Sequence, residues 1–176
     1  MHFLTKKTNA TRLSLLLAMC LVTVFFVAAA AGQTPAFPSK ETTMTAHATG
    51  PFDVKVTHQD DNSSDPLLAR MTLDKQYHGD LDGTGQGQML TAGTSVKGSG
   101  AYVAIEKVSG TLKGRKGTFV LQHSGTMTQN KPQLIITIVP DSGTGQLEGI
   151  SGKMTIIIAA DGKHTYDLEY ALPTQE

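Results

Sequence analysis

Residues 100–125 read GAYVAIEKVSGTLKGRKGTFVLQHSG, two alternating segments around a glycine. Glycine at the first central position suits a two-residue type II′ turn, so Gly114-Arg115 is the expected turn. Lys113 then opposes Lys116, and Glu106 lies directly opposite His123. In this register Val108 faces Leu121, Gly110 faces Phe119 and Tyr102 faces Met127. The other face pairs Lys107 with Gln122 and Ser109 with Val120. The first face is apolar around one acid and one imidazole; the second is more polar. A longer loop would slide the pairing and keep the same residues on one face, because side chains alternate with period two.

The same alternation recurs on both sides of this hairpin. Phe52, Val54 and Val56 alternate with Asp53, Lys55 and Thr57. Ala69, Met71, Leu73 and Tyr77 alternate with Arg70, Thr72, Asp74 and Gln76. Leu134, Ile136 and Ile138 make another run, as do Met154, Ile156 and Ile158. The last is His164, Tyr166, Leu168 and Tyr170. No segment repeats apolar residues at helical spacing over three turns. Seventeen of the 18 glycines lie beyond Gly32. Many are expected at strand junctions, among them Gly79, Gly83, Gly114 and Gly143. Gly85, Gly87 and Gly110 fall inside apparent strands, where glycine suits a sharply bent sheet. About eight short-linked strands in about 130 residues predict an all-β fold, a single closed antiparallel β-barrel; a sandwich is the alternative. The tetrapeptide Gly-Thr-Gly-Gln occurs at Gly83 and at Gly143 and reads as shared turn chemistry.

The first twelve residues hold Lys6, Lys7 and Arg12 and no acid, and an apolar run follows from Leu13 to Ala31. Small residues crowd its end. This is the layout of a secretory signal over residues 1–32, cleaved near Ala31 or Gly32. An uncleaved anchor is the alternative, because the run could just span a bilayer. Residues 33–42, with Pro35 and Pro38, read as a flexible leader, and residues 43–176 as the barrel domain. The expected address is periplasmic or secreted, with no stable membrane association after cleavage. Cleavage removes Cys20, the only cysteine, so packing alone holds the core. It also removes three of the 15 cations and none of the 15 acids, leaving a net of −3. That argues against nucleic acid as a partner. Asn62-Ser63-Ser64 matches a glycosylation sequon.

The residue types narrow the chemistry. Glu106 and His123, neighbours on the inner wall, are the candidate catalytic pair, since a carboxylate beside an imidazole can orient a general base. A satisfied buried hydrogen bond with no chemistry is the favoured reading of the pair, because structural ion pairs also sit in cores. Tyr102, Tyr166 and Tyr170 are candidate ligand-binding residues, each with an apolar ring and a hydroxyl that needs a partner when buried. His47, His58, His78, His123 and His164 are too far apart in sequence for a local metal motif, so no metal and no cofactor is expected. Asp80-Leu81-Asp82-Gly83 lacks the further ligands of a calcium loop. The glycine-rich stretches precede strands rather than helices, which excludes dinucleotide and phosphate loops.

Several segments together carry a resemblance. They are 45–50 (TAHATG), 79–85 (GDLDGTG), 102–108 (YVAIEKV), 119–127 (FVLQHSGTM), 139–145 (VPDSGTG) and 166–170 (YDLEY). The chain resembles, from about Met44 to Pro173, the bacterial domain-of-unknown-function family numbered 3224. The resemblance implies a closed barrel like those of allene oxide cyclases and plant dirigent proteins. It brings no activity and no catalytic motif, and the export leader departs from the family's usual form. Three functions follow as expectations. One is a binder of a small apolar ligand inside the barrel. Another is a cyclase or isomerase in which Glu106 or His123 moves a proton; whether the chain is an enzyme stays open. The third is a structural or interaction module with a filled barrel. By analogy with related barrels, a homo-oligomer is expected.

Overall fold

The computed structural model describes residues 45–60 and 65–173. The signal at 1–32, the leader at 33–42 and the sequon at Asn62 lie outside the described residues. Nine strands are present and, among the described residues, no helix. They are β1 (Ala46–Gln59), β2 (Leu68–Tyr77), β3 (Leu81–Gly93), β4 (Gly100–Leu112), β5 (Arg115–Thr128), β6 (Lys131–Ile138), β7 (Thr144–Gly145), β8 (Ser151–Ile158) and β9 (His164–Ala171). Eight of them close in the order β1-β2-β3-β4-β5-β6-β8-β9 and back to β1, every pair antiparallel. The two-residue β7 is an extra strand on β5. The closed antiparallel barrel expected from the alternation is therefore present. β6 meets β8 at one paired position, Thr137 with Lys153, whereas β1 meets β9 from Ala46 opposite Tyr170 to Phe52 opposite His164.

The central hairpin differs in register from the sequence expectation. Its loop is Lys113-Gly114, and both residues have positive φ, 45° and 83°. That is a type I′ turn, whose twist matches the flanking strands. Leu112 consequently pairs with Arg115, Glu106 with Leu121, Ala104 with His123 and Tyr102 with Gly125. The slip is two residues, so every inward residue stays inward. Gly83-Thr84-Gly85-Gln86 is also not a turn. It runs through the middle of β3 opposite β4, where a Cβ at Gly83 would overlap the β4 backbone at Ser109. Its counterpart at Gly143 spans β7 itself, and its last residue, Gln146, opens the turn that follows.

The two ends of the barrel differ. At one end lie the turns at 78–80 and 113–114. The segment after β6 folds back there and buries Leu147 and Ile150. Leu81, Leu112, Phe119, Leu121, Leu168 and Tyr166 fill this half, none more than 1% exposed. At the other end lie the connections after Gln59, Gly93, Thr128 and Ile158. Here residues in the inward register are open to solvent: Val56 is 46% exposed, Met127 41%, Leu134 40% and Ile158 64%. The barrel is packed solid at one end and open at the other.

Tyr166 ties the closed end together. Its hydroxyl accepts from the Leu81 amide at 2.8 Å and donates to the His78 carbonyl at 3.0 Å, which holds the β2–β3 turn against β9. Tyr166→Phe leaves that buried amide without a partner. We expect a loss of about 1–2 kcal/mol in chemical denaturation, with the barrel retained by circular dichroism.

Candidate functional site

Between the packed half and the open half lies a ring of polar side chains from four positions on three strands. Among the described residues, two formally charged side chains in the inward register are buried, Lys75 on β2 and Glu106 on β4; Arg115 shares that register at the start of β5 but is exposed beside the closed-end turn. Lys75 Nζ donates to Glu106 Oε2 at 2.7 Å, and the Tyr77 hydroxyl donates to Oε1 at 2.8 Å. Lys75 Nζ also reaches the Tyr77 oxygen at 3.2 Å. The Lys75 nitrogen stands 5.1 Å from the centre of the Phe52 ring and 5.5 Å from that of Tyr77, close enough for cation–π attraction.

His123 completes the group. Its Nε2 lies 3.0 Å from Glu106 Oε2. The contact is short but poorly aligned: this buried nitrogen makes no directed hydrogen bond with any described residue. We regard it as a close polar contact rather than a hydrogen bond, since the angle decides the latter.

Glycine makes room for the carboxylate. Glu106 faces Gly87 across β3–β4, and a Cβ at Gly85 would overlap Glu106 Oε1 and crowd the Tyr77 ring. The mid-strand glycines of β3 therefore form the seat of the acid. Gly125 plays a similar part on β5, where the Tyr102 ring lies across it in place of a side chain.

Burial alone raises the pKa of the Glu106 carboxyl. The contacts from His123, Lys75 and Tyr77 outweigh burial, and the net effect holds it below its ordinary value of 4.5. Burial first, then the Glu106 charge, drives the Tyr77 hydroxyl far above its ordinary range. The same two causes raise Tyr102. At neutral pH the site is thus a carboxylate held by donors, beside protonated phenols. A carboxylate stabilised in this way is a weak proton acceptor.

The lowered Glu106 pKa has a stability consequence. The unfolded chain binds this proton more tightly, so stability rises with pH through the window. The contribution is whole above about 4.5, the unfolded value, and is lost as pH falls through the lower folded value. Denaturation midpoints of the wild type should fall across that window. Glu106→Gln should show a shallower fall. Some slope should persist, because Asp80, hydrogen-bonded by the Thr49 amide, and Asp161, beside Lys163, are also held low.

The residues singled out from sequence divide along the barrel. Glu106 and His123 come together as diagonal neighbours, and Tyr102 stands one pair nearer the open end. Tyr166 and Tyr170 sit on the packed side, Tyr166 edge-on to Tyr77 with ring centres 5.4 Å apart. Lys75 and Tyr77 were not recognised as partners of the acid. The signal for Lys75 was a lysine in the inward register between Leu73 and Tyr77.

Toward the open end the inward register carries Val54, Met71, Met89, Thr91, Tyr102 and Ile156, all half-buried. From His123 to Met127 is four residues, about 13 Å at about 3.3 Å each. The inward register thus grades like a funnel, from the buried site through half-buried apolar side chains to the exposed rim.

The family model described as "Protein of unknown function (DUF3224)" matches residues 48–170. A crystal structure of a protein of unknown function from that family, from Shewanella oneidensis MR-1, is 44% identical. The match covers 75% of this chain and all of that one, with a TM-score of 0.70. No curated protein matches the chain. With a family match over most of its length and a relative of the same fold, the chain belongs to the DUF3224 family.

Proposed function

We propose that this protein binds a small, largely apolar molecule through the open end of its barrel, above the Lys75–Tyr77–Glu106–His123 floor. One observation carries the reading. Inward-facing apolar residues are 40–64% exposed at the rim and sealed at the other end. Apolar walls converging on a few placed polar groups are the usual form of a small-molecule site. The proposal keeps export to the periplasm or beyond, and a likeness to allene oxide cyclases confined to the barrel. Mass spectrometry of small molecules released from protein purified after expression of the full chain is the direct test. We expect a defined apolar species. No released molecule, together with no change at the Met71 and Met89 methyl resonances when apolar probes are added, would reject the proposal.

The proton-transfer alternative uses Glu106 and His123. A carboxylate held by three neighbours supports a positioning role over that of a base. On the binding reading, Glu106→Gln changes ligand affinity; on the cyclase reading it abolishes turnover.

A separate observation favours self-association. The outer wall of β3 to β5 exposes Leu90, Val103 and Ile105, each more than half exposed. They border a shallow depression of about 780 Å³ together with Arg70, Gln88 and Gln122. This depression lies on the outer wall, and its lining also takes in Gly87, Ala104 and His123 of the strands behind it. Light scattering of Val103→Lys against wild type tests whether that wall holds copies together.

A further inference from the structure

We infer that the molecule held in the funnel has an uncharged polar head, a hydroxyl or carbonyl, seated between the Tyr102 hydroxyl and the His123 imidazole. The inference rests on the binding proposal above and specifies its ligand.

The charge on the inner wall is the first ground. Lys75 and Glu106 are the two buried formally charged residues in the inward register, and each is taken up by the other at 2.7 Å; Arg115, in the same register, is exposed at the closed end. A carboxylate head would come to rest near Glu106 with the Lys75 cation already engaged. An ammonium head would meet a carboxylate whose oxygens already accept from Lys75 and Tyr77. Either ion would be desolvated without a free counter-charge, which is costly in an apolar site. A neutral dipole carries no such cost.

The second ground is unused hydrogen-bonding capacity. His123 is 3% exposed, and its Nε2, although 3.0 Å from Glu106 Oε2, makes no directed hydrogen bond with a described residue. Buried polar atoms are normally paired, so an exception asks for an occupant. Tyr102 stands beside it: Tyr102 pairs with Gly125, and Ala104 pairs with His123, so the two inward side chains are diagonal neighbours. The Tyr102 hydroxyl makes no hydrogen bond with a described residue. Burial keeps it protonated, and it is therefore available as a donor. A hydroxyl or carbonyl oxygen can accept from one group and fill the space beside the other.

On the open side of the site, the other polar groups in the inward register are farther up. His164 packs on Phe52 with ring centres 5.2 Å apart. His58 lies opposite Met71 near the rim and is exposed. Thr91 lies opposite Tyr102. None of these supplies a fixed cation at the floor.

The test compares four straight-chain probes of one length: decanol, a methyl ketone, decanoate and decylammonium. Protein purified from full-chain expression and freed of bound molecules is titrated by calorimetry. Met71 and Met89 methyl resonances report whether each probe enters the barrel. We expect the alcohol or ketone to bind at least about ten-fold more tightly than either ion, the usual scale of one well-made hydrogen bond. Tyr102→Phe keeps the ring over Gly125 and should remove that margin while decanoate binding is unchanged. His123→Gln, which retains a donor and an acceptor, should keep part of it. Equal or tighter binding of decanoate or decylammonium, with the methyl resonances shifted, overturns the head assignment and leaves the funnel as a binding site. A Tyr102→Phe variant that keeps the full margin also overturns it. If no probe shifts the methyl resonances, the binding proposal fails, and the head assignment with it.

Discussion

Replacing Lys75 by methionine should destabilise the barrel by about 3–5 kcal/mol, the usual cost of leaving one partner of a buried ion pair alone. The wild-type carboxylate of Glu106 is fully buried and takes hydrogen bonds from Lys75 and Tyr77. Without Lys75 it keeps the Tyr77 hydroxyl and the nearby His123 but loses its charge partner. It then either protonates or draws water into the core. Urea denaturation should show the loss, and the loss should shrink as pH falls and Glu106 takes up a proton. Lys75→Met with Glu106→Leu removes both charges and should recover most of the stability, because well-packed apolar pairs replace buried ion pairs at little cost. A double variant as unstable as the single one would mean that the pair is not the source of the effect. If the wild type releases a bound small molecule, a recovered double variant that no longer holds it would assign the polar floor to function rather than to folding.

Gly85→Val should be nearly as damaging, by about 2–4 kcal/mol, although valine is the better strand former. The gain in propensity is confined to the backbone of β3. The added side chain would occupy the seat of the Glu106 carboxylate and press on the Tyr77 ring. The carboxylate would have to leave its contacts with Lys75 and Tyr77, exposing the buried charges to an unmatched site. Denaturation would register the loss, and a crystal structure of the variant should show Glu106 displaced. Gly85→Val combined with Glu106→Ala frees the space and should be less destabilised than the sum of the two changes. Additive losses would remove the claim that this glycine exists for the acid.

The alternation was readable because a barrel wall has one wet face and one dry one. The inward register of β4 and β5 therefore emerged from residues 100–125 alone, and with it the shared face of Glu106 and His123. The pairing within that face was not readable to the residue. Gly114 suited two hairpin turns, and only the positive φ at Lys113 as well as Gly114 distinguishes them. The two-residue slip preserved the side of every residue, so the site survived the error. Gly83 was misplaced at a junction, and Gly85, rightly placed inside a strand, was not linked to Glu106, for a related reason: a glycine in sequence does not say what stands where its side chain would be.

Lys75 shows the limit most clearly. It sits 31 residues from Glu106, and no local spacing connects a lysine on β2 with an acid on β4. The sequence alone determined period-two strands, a glycine-bent closed wall, and an acid and an imidazole on its dry side, because these follow from local alternation and composition. Tertiary structure decided that Lys75 and Tyr77 meet that acid, that Tyr166 is spent on a turn, and that one end is sealed while the other stands open. Those outcomes depend on closure of the sheet, which brings together residues that no local pattern relates.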